Sequence, residues 1–389
     1  MAFISDKVES LPPYLFSEFQ KKKKQLISNG VDCIDLGIGA PDLPTPDFVC
    51  QILMEEVKHS ANHRYSTYSG LLEFKQAVAH FYKQQYGVIL NPETEVLALI
   101  GSKEGIANLI QAVINPDDKV IVPDPGYPVY RTGVHLAGGE SISLPLDHDN
   151  NYTPMFHRLS AADAHQAKLM FLNYPSNPTA AVADMSTYLE AITFCRDHGI
   201  ILANDAAYDL VTFEDYQSPS VLQIPDAKDY AVELGSLSKS FNMTGWRIGY
   251  IVGNQEIIQS LATLKSNIDT CQFIPIQKAA AAALTSDLSC VQANNAVYKQ
   301  RMEKLYAALT KVGLKVRKPR GTIFIWAEVP KGYNSMSFAN QLLDEAGLIV
   351  TPGIAFGANG EGFIRISLSV SSERLDEVIH RLHQFDWKE

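Results

Sequence analysis

The chain has 389 residues, of which 46% are hydrophobic, and its 33 Lys and Arg against 43 Asp and Glu give a formal net charge of −10. This length allows two domains, or one large domain with a smaller appendage. The acidic balance argues against a nucleic-acid surface, because phosphate backbones are bound by clustered excess Lys and Arg. The one basic block, Lys21 to Lys24, is interpreted as a solvated helix face.

The cysteines and the first ten residues indicate in which cellular compartment the protein is found. The five cysteines are scattered without CxxC spacing, which is typical of reduced surroundings. The first ten residues lack a signal-peptide pattern, and no apolar run is long enough to cross a bilayer. We therefore expect a cytoplasmic protein with no membrane partner. No metal site is expected, since His59 and His63 have no third ligand nearby.

Residues 1–45 are predicted to form an N-terminal arm and part of a small domain. Pro12-Pro13 breaks the arm before a lysine-rich helix, and a short strand is predicted at 31–36. The Gly37-Ile-Gly39 loop that follows is not a dinucleotide fingerprint, because the third glycine is missing and prolines replace the receiving helix. Its glycines indicate a close backbone approach, to a substrate or to another strand.

Residues 46–288 are predicted to form a large domain in which apolar strands alternate with helices. Such strands, covered by helices on both faces, are typical of an α/β fold with a mainly parallel sheet. The predicted strands are 96–100, 119–122, 168–172, 199–203 and 231–234, and the predicted helices are 46–59, 71–86, 102–114 and 188–198.

Residues 289–389 differ in character and predict a smaller α+β domain shared with the N-terminal arm. A long helix is predicted to run through Tyr298 and Leu309, and another spans 371–384. Strands are predicted at 314–316, 323–326 and 362–367.

Polar residues follow the predicted strands of the large domain, where an open parallel sheet binds its ligands. Ser102 and Lys103 open a helix, whose free N–H groups attract phosphate. Asn177, Asp205 and Lys239 come after three other strands. A lone Asp at such a place is more often a helix cap, but complementary groups at four strand ends favour a site.

The segment from Ser236 to Tyr250 contains Lys239 among serines, with Arg247 eight residues later in a glycine-flanked turn. Arginine and serine donors suit a phosphate, and a nearby arginine favours the neutral, nucleophilic form of the lysine. The segment therefore predicts a Schiff-base lysine for a phosphorylated aldehyde cofactor. By itself it is equally compatible with a serine-rich surface loop.

Together these motifs resemble, in order and spacing over nearly the whole chain, the class I/II pyridoxal-phosphate-dependent aminotransferases of fold type I. The resemblance implies that Lys239 binds the cofactor covalently and carries the proton from the substrate Cα. It implies that Asp205 pairs with the pyridine nitrogen and that Tyr208 and Asn177 bind the ring oxygen. Further implied cofactor contacts are Tyr127, stacked on the ring, and Ser102, Lys103, Ser236, Ser238 and Arg247, around the phosphate.

The resemblance also implies how substrate and subunits meet. Arg365 would bind the substrate α-carboxylate with help from Asn177 and the Gly39 backbone, and Tyr65 would reach the phosphate of a neighbouring subunit in a homodimer. The substrates would be an amino acid and a 2-oxo acid, with glutamate and 2-oxoglutarate as the usual second pair. Ala180 departs from the family, which usually has glycine after Asn-Pro-Thr.

Several segments, among them 12–16, 36–46, 101–106 and 122–130, are most similar to the LL-diaminopimelate aminotransferase branch. Relatives specific for methionine, aromatic amino acids or alanine share much of them, so these specificities stay open. A C–S lyase or a racemase would use the same fold and lysine. A regulator with an aminotransferase-like domain would need a DNA-binding module, for which the chain has neither residues nor charge.

Overall fold

The computed structural model describes residues 3–11 and 15–385, with the backbone alone for residues 15–20. The predicted break at Pro12-Pro13 and the side chain of Phe16 therefore lie outside what is described.

The described helices and strands alternate through most of the chain. The helices are α1 (Asp6–Glu9), α2 (Leu15–Ser28), α3 (Asp47–Val57), α4 (Leu72–Tyr86), α5 (Ser102–Val113), α6 (Val129–Ala137), α7 (Ala161–Gln166), α8 (Met185–His198), α9 (Leu237–Ser240), α10 (Gln255–Ser266), α11 (Ile274–Leu284), α12 (Ser289–Lys311), α13 (Ser335–Ala346) and α14 (Ser372–Gln384). The strands are β1 (Ile34–Asp35), β2 (Val96–Leu99), β3 (Lys119–Asp124), β4 (Glu140–Pro145), β5 (Ala167–Leu172), β6 (Ile201–Asp205), β7 (Ala231–Ser236), β8 (Gly249–Gly253), β9 (Phe324–Glu328), β10 (Leu348–Ile349), β11 (Thr351–Pro352) and β12 (Phe363–Ser367).

The large sheet has the strand order β2-β8-β7-β6-β5-β3-β4. All neighbouring pairs are parallel except those of β8, which runs antiparallel to both β2 and β7. Successive residues of β2 enter different cores: Val96 and Ala98 pack in one, and Leu97 and Leu99 in the other. This alternation follows from the pleat of a strand, and helices cover both faces. The predicted α/β fold with a mainly parallel sheet is confirmed.

A smaller sheet, in the order β11-β12-β9, is antiparallel throughout. It shares a buried core with residues of α12, α13 and α14, among them Met302, Phe338 and Leu375. Strand β1 pairs in parallel with β10, so that Ile34 lies opposite Leu348. The N-terminal segment thereby joins the C-terminal part of the fold.

Several elements differ from the sequence predictions. The predicted strand 314–316 is wrong, because only an isolated bridge between Val316 and Ala327 forms there. The predicted glycine-flanked turn around Arg247 is a turn only in its first part. From Gly249 onwards its residues form β8. Strands β4, β8, β10 and β11 were not predicted, nor were helices α1, α6, α7, α9, α10, α11 and α13. No helix among the described residues is long and apolar enough to cross a membrane.

Candidate active site

A cavity of about 400 Å³ lies where the carboxyl ends of the parallel strands face the small sheet. Nine of the predicted site residues line it: Gly39, Ser102, Lys103, Tyr127, Asn177, Asp205, Tyr208, Lys239 and Arg365. Ser236, Ser238, Arg247 and Tyr65 are not among the lining residues. Residues from both ends of the chain and from five strand ends thus meet at one edge of the large sheet, as its topology requires.

Asp205 is the last residue of β6 and is 4% exposed. Its Oδ2 accepts a 2.7 Å hydrogen bond from the Tyr130 hydroxyl. Its Oδ1 is buried and has no hydrogen-bond partner among the described residues. Burial disfavours the charged form and raises the pKa of Asp205 to about 6, against the opposing effect of the Tyr130 bond. An oriented carboxylate with one free oxygen can hold a cationic ring nitrogen.

Lys239 lies in the single turn of α9, and its Nζ donates a 2.7 Å hydrogen bond to the Gly39 carbonyl. The same nitrogen is 5.7 Å from the centre of the Tyr208 ring. Burial lowers the pKa of Lys239 to about 8, and the positive charges of Arg365 and Arg247 act in the same direction. The neutral, nucleophilic fraction of this amine near neutral pH is therefore much larger than that of an ordinary lysine, although the ammonium form still predominates.

Arg365, on β12, is held at the opposite wall of the cavity. Its Nη1 donates to Asn177 Oδ1 and its Nη2 to the Gly37 carbonyl, both at 2.7 Å. The guanidinium lies 4.2 Å from the ring centre of Phe324 and 4.9 Å from that of Phe356. Such ring faces attract a cation and fix the plane of the fork, which prepares it to bind a carboxylate with two bonds.

The turn before α5 brings Arg247 close to the helix N-terminus. Gly101 has φ +78°, and a Cβ at this position would overlap the Arg247 guanidinium, so glycine permits the approach. Arg247 precedes β8, and Gly249 pairs with both Leu99 and Ser236. Because β8 is antiparallel, its first residue lies at the edge where β2 and β7 end. Ser236 and Ser238 lie buried beside it, where the Ser236 hydroxyl accepts the Ser238 N–H at 3.2 Å.

The tyrosines of the site occupy different positions. Tyr208 is buried, meets Phe324 edge-on at 5.6 Å, and has its pKa raised by burial. Tyr127 lines the cavity and meets Tyr130 edge-on at 5.8 Å. The side chain of Tyr65 is 88% exposed. In this single chain, therefore, Tyr65 does not take part in the cavity.

Sequence reasoning missed four residues of the site. Tyr130 and Asn173 secure Asp205: Asn173 Nδ2 donates to the Asp205 carbonyl at 2.6 Å, and its Oδ1 accepts the Asn177 N–H at 2.8 Å. Phe324 and Phe356 flank Arg365. A signal for Tyr130 was its position three residues after Tyr127 on a helical start, which places the two rings on one face. No local pattern marks the two phenylalanines.

The departure at Ala180 has a structural meaning. Its φ of +55° lies in the left-handed region, which glycine adopts without cost and a residue with a Cβ does not. The extra methyl group therefore strains the backbone three residues after Asn177.

The described geometry fits pyridoxal phosphate. The unpartnered Oδ1 of Asp205 suits the protonated ring nitrogen. The Gly101 turn, in which a side chain would overlap Arg247, suits a phosphate at the helix N-terminus. No group of three or more His, Cys, Asp or Glu side chains placed to hold a metal ion occurs in the described part of the chain.

Comparison with known proteins defines the class. The sequence model of the family described as aminotransferase class I and II matches residues 31–382, and the chain belongs to this family. It is a pyridoxal-phosphate-dependent aminotransferase, as the sequence predicted.

Particular relatives cover almost the whole chain. The LL-diaminopimelate aminotransferase of Moorella thermoacetica is 46% identical over 378 residues, which is 97% of each chain. The substrate-bound BacF structure from Bacillus subtilis superposes with a TM-score of 0.95 at 39% identity, covering 99% of this chain and 98% of that one. A mutant aspartate aminotransferase of Thermus thermophilus reaches a TM-score of 0.93 at 28% identity, with 99% and 100% covered.

The lowered pKa of Lys239 predicts how the cofactor-free protein takes up pyridoxal phosphate. The rate of covalent uptake should rise with pH through about 8, because the neutral amine is the nucleophile and its fraction increases there. Stopped-flow absorbance of the bound cofactor measures this rate. Lys239→Ala is the control and should give no covalent band. A rate in the native protein that is flat through this range would contradict the prediction.

The Tyr130–Asp205 bond predicts weaker cofactor retention in Tyr130→Phe. Without this bond the Asp205 carboxylate must be oriented when the cofactor binds, and a loss of about 1.4 kcal/mol, within the range of such a bond, would raise the Kd for pyridoxal phosphate about tenfold. Tyr174→Phe is the matched control, since Tyr174 is equally buried but its hydroxyl donates to the Tyr152 carbonyl. Equal Kd values for Tyr130→Phe and the native protein, by fluorescence titration, would contradict the assignment.

Proposed function

We propose that this aminotransferase moves an amino group from LL-diaminopimelate to 2-oxoglutarate, forming glutamate. The observation that carries the choice of donor is the 46% identity, over 97% of both chains, to a protein named for that activity. The segment similarities at 36–46, 101–106 and 122–130 support the same branch. A broad-specificity enzyme for methionine, aromatic amino acids or alanine is the second candidate, because a fold neighbour from Pyrococcus horikoshii, with a TM-score of 0.85 at 29% identity, is named an aromatic aminotransferase.

The cofactor would be held by residues from the ends of five strands and from the start of β8. Asp205 Oδ1 would accept the ring N–H, Asn177 and Tyr208 would bind the ring oxygen, and Tyr127 would cover one ring face. The phosphate would be bound by Ser102, Lys103, Ser236, Ser238 and Arg247. When bound, pyridoxal phosphate supplies an electron sink for the negative charge that develops at the substrate Cα.

Lys239 and Arg365 would carry the substrate chemistry. The Arg365 fork binds the α-carboxylate and so fixes the direction of the Cα–H bond. Asn177 Oδ1, 2.7 Å from Arg365 Nη1, and the Gly39 backbone complete this wall of the site. Neutral Lys239 Nζ accepts the proton from Cα and returns it later in the cycle as a general acid. Burial keeps the amine pKa near 8, in the range where both transfers are efficient.

In a homodimer with shared active sites, Tyr65 would contact the cofactor phosphate of the neighbouring subunit. Its ring is 88% exposed, and Tyr68 and Phe273 are also exposed in the same region, where the His63 ring contacts Phe273. Exposed aromatic rings of this kind are typical of interaction surfaces. Light scattering of the loaded enzyme tests the proposal, and the mass of a single chain would refute it.

We also propose a division into two domains and a location in the cytoplasm. Pairing of β1 with β10 supports assigning residues 1–45 and 289–389 to one small domain and 46–288 to a large one. The five cysteines are free in the structure, which supports the reduced environment of the cytoplasm. Fractionation of the cells that make the protein tests the location.

Amino-donor screening should identify LL-diaminopimelate as the best donor with 2-oxoglutarate, measured as glutamate formed. No turnover of this donor, beside good turnover of methionine, alanine or an aromatic amino acid, would favour the second candidate. Ammonia release without any 2-oxo acid would instead indicate an elimination reaction.

Arg365→Lys should lower kcat/KM about 100-fold, mainly through KM, because an ammonium cannot form the paired bonds, each worth about 1.5–3 kcal/mol. Arg301→Lys is the matched control. Arg301 is equally buried and pairs with Asp42 at 2.7 Å outside the cavity, so its replacement should affect stability rather than KM. Similar KM values in the native enzyme and Arg365→Lys would refute the role of Arg365.

A further inference from the structure

Asp124, the last residue of β3, connects the large sheet to the loop between β11 and β12. The residue is 4% exposed. Its Oδ1 accepts the backbone N–H of Asn359 at 3.0 Å, across the two sheets. Its Oδ2 accepts bonds from Arg131 at 3.1 Å and from Ser143 at 3.3 Å, both within the large-sheet part of the fold. Each carboxylate oxygen thus faces donors, as a buried charge requires.

Two further hydrogen bonds join the same segments. The Gly126 N–H donates to the Phe356 carbonyl at 2.8 Å, and Asn359 Nδ2 donates to the Asp124 carbonyl at 3.3 Å. Gly357 has φ +126°, and a Cβ there would overlap the Asp124 carboxylate. The loop therefore approaches Asp124 as closely as a glycine allows.

The loop carries a residue that the site uses. Phe356 is 3% exposed, lines the cavity, packs edge-on against Trp326 at 5.9 Å, and lies 4.9 Å from the Arg365 guanidinium. In the segment after β3, Gly126 directly precedes Tyr127, which also lines the cavity. The bonds of Asp124 and Gly126 thus join the two segments that carry Phe356 and Tyr127.

We propose that Asp124 is a positioning residue, which holds the Phe356 ring against Arg365 and so aligns the guanidinium for the substrate α-carboxylate. We call the contact of Asp124 with Asn359, together with that of Gly126 with Phe356, the Asp124 latch. The role rests on the proposed function of Arg365. Asp124 acts on binding and not on proton transfer, because Lys239 and Asp205 are held by other elements.

The latch explains why a buried acid ends β3 beside a cavity whose chemistry does not need it. Without the carboxylate, the Asn359 N–H loses its acceptor, and Arg131 and Ser143 lose a shared partner. The loop then samples positions in which Phe356 leaves the guanidinium. A substrate must restore the order of the loop when it binds, which weakens binding without changing the chemical step.

A double-mutant cycle tests the role with the loaded enzyme. Steady-state turnover of L-glutamate with a 2-oxo acid as acceptor gives KM and kcat for Asp124→Ala, Phe356→Leu and the double variant. Asp124→Ala should raise KM about tenfold and leave kcat within about twofold, as expected for lost ground-state alignment. In the double variant KM should equal that of Phe356→Leu alone, because coupled residues are not additive.

Asp163→Ala is the control for loss of an ion-paired aspartate elsewhere at the same strand; its side chain is more exposed than that of Asp124. Asp163 pairs with Lys119 at the opposite end of the same strand, at 3.1 Å, and does not reach the small sheet. This variant should keep the native KM. Cofactor absorbance and Tm of every variant show whether it folds and loads.

Hydrogen exchange of the Asn359 amide is a second measurement that needs no substrate. Exchange should be about tenfold faster in Asp124→Ala and unchanged in Asp163→Ala, because only the first removes the acceptor. Unchanged exchange in Asp124→Ala, or KM effects that add in the double variant, would overturn the proposal. The proposal would also be overturned if exchange were faster in Asp124→Ala while KM stayed native in both Asp124→Ala and Arg365→Lys. That result would show that the role assigned to Arg365 is wrong.

Discussion

Parallel pairing of β3, β5, β6 and β7 brings four strand ends to one edge of the large sheet. Each of these ends is followed by a residue of the cavity: Tyr127, Asn173, Asp205 itself and Lys239. The antiparallel β8 adds to this edge by its beginning instead of its end, so Arg247 arrives there as well. No further long-range contact is needed to bring these residues together. Their position follows from strand direction and from the short segments that connect strand to helix.

Burial and charge act together on the ionisable groups that this edge collects. Desolvation raises the pKa of Asp205 and lowers that of Lys239, so each group is moved towards its neutral form. Both pKa shifts suit a site in which Asp205 would hold one proton firmly and Lys239 would exchange another. Arg365 keeps its charge between two aromatic faces, with neutral oxygens of Asn177 and Gly37 as acceptors.

The parts of the fold that could be predicted are those with a strong local pattern. The continuous apolar runs of β2, β5 and β6 mark buried strands, and residues at their ends mark the site. Strand β4 was missed because it lies at the sheet edge, and most of its side chains, such as Glu140 and Ser141, are exposed or only half-buried. Strand β8 was not predicted: its short apolar run begins and ends at glycines, and the preceding segment was interpreted as a glycine-flanked turn around Arg247.

Partnerships between distant segments could not be predicted from one sequence. Phe356 reaches the cavity through a loop of the small sheet, more than two hundred residues after Tyr127, and nothing near Phe356 in the sequence indicates its neighbours. Tyr130 is similar, because its contact with Asp205 depends on how α6 packs against α5 and against strands β3 and β4. The family resemblance named the residues that we propose contact the cofactor, whereas the residues that hold those in place are apparent only from the fold.

The unpartnered oxygen of Asp205 has a consequence for the life of the protein in a cell. A chain that lacks cofactor buries a carboxylate oxygen without a hydrogen bond, so its native state is less stable than that of the loaded chain, whose ligand binds only the folded form. Cellular proteases remove the fraction of a protein that is unfolded at any moment. We therefore expect vitamin supply to set the abundance of this enzyme as well as its activity, since newly made chains left empty would be degraded first.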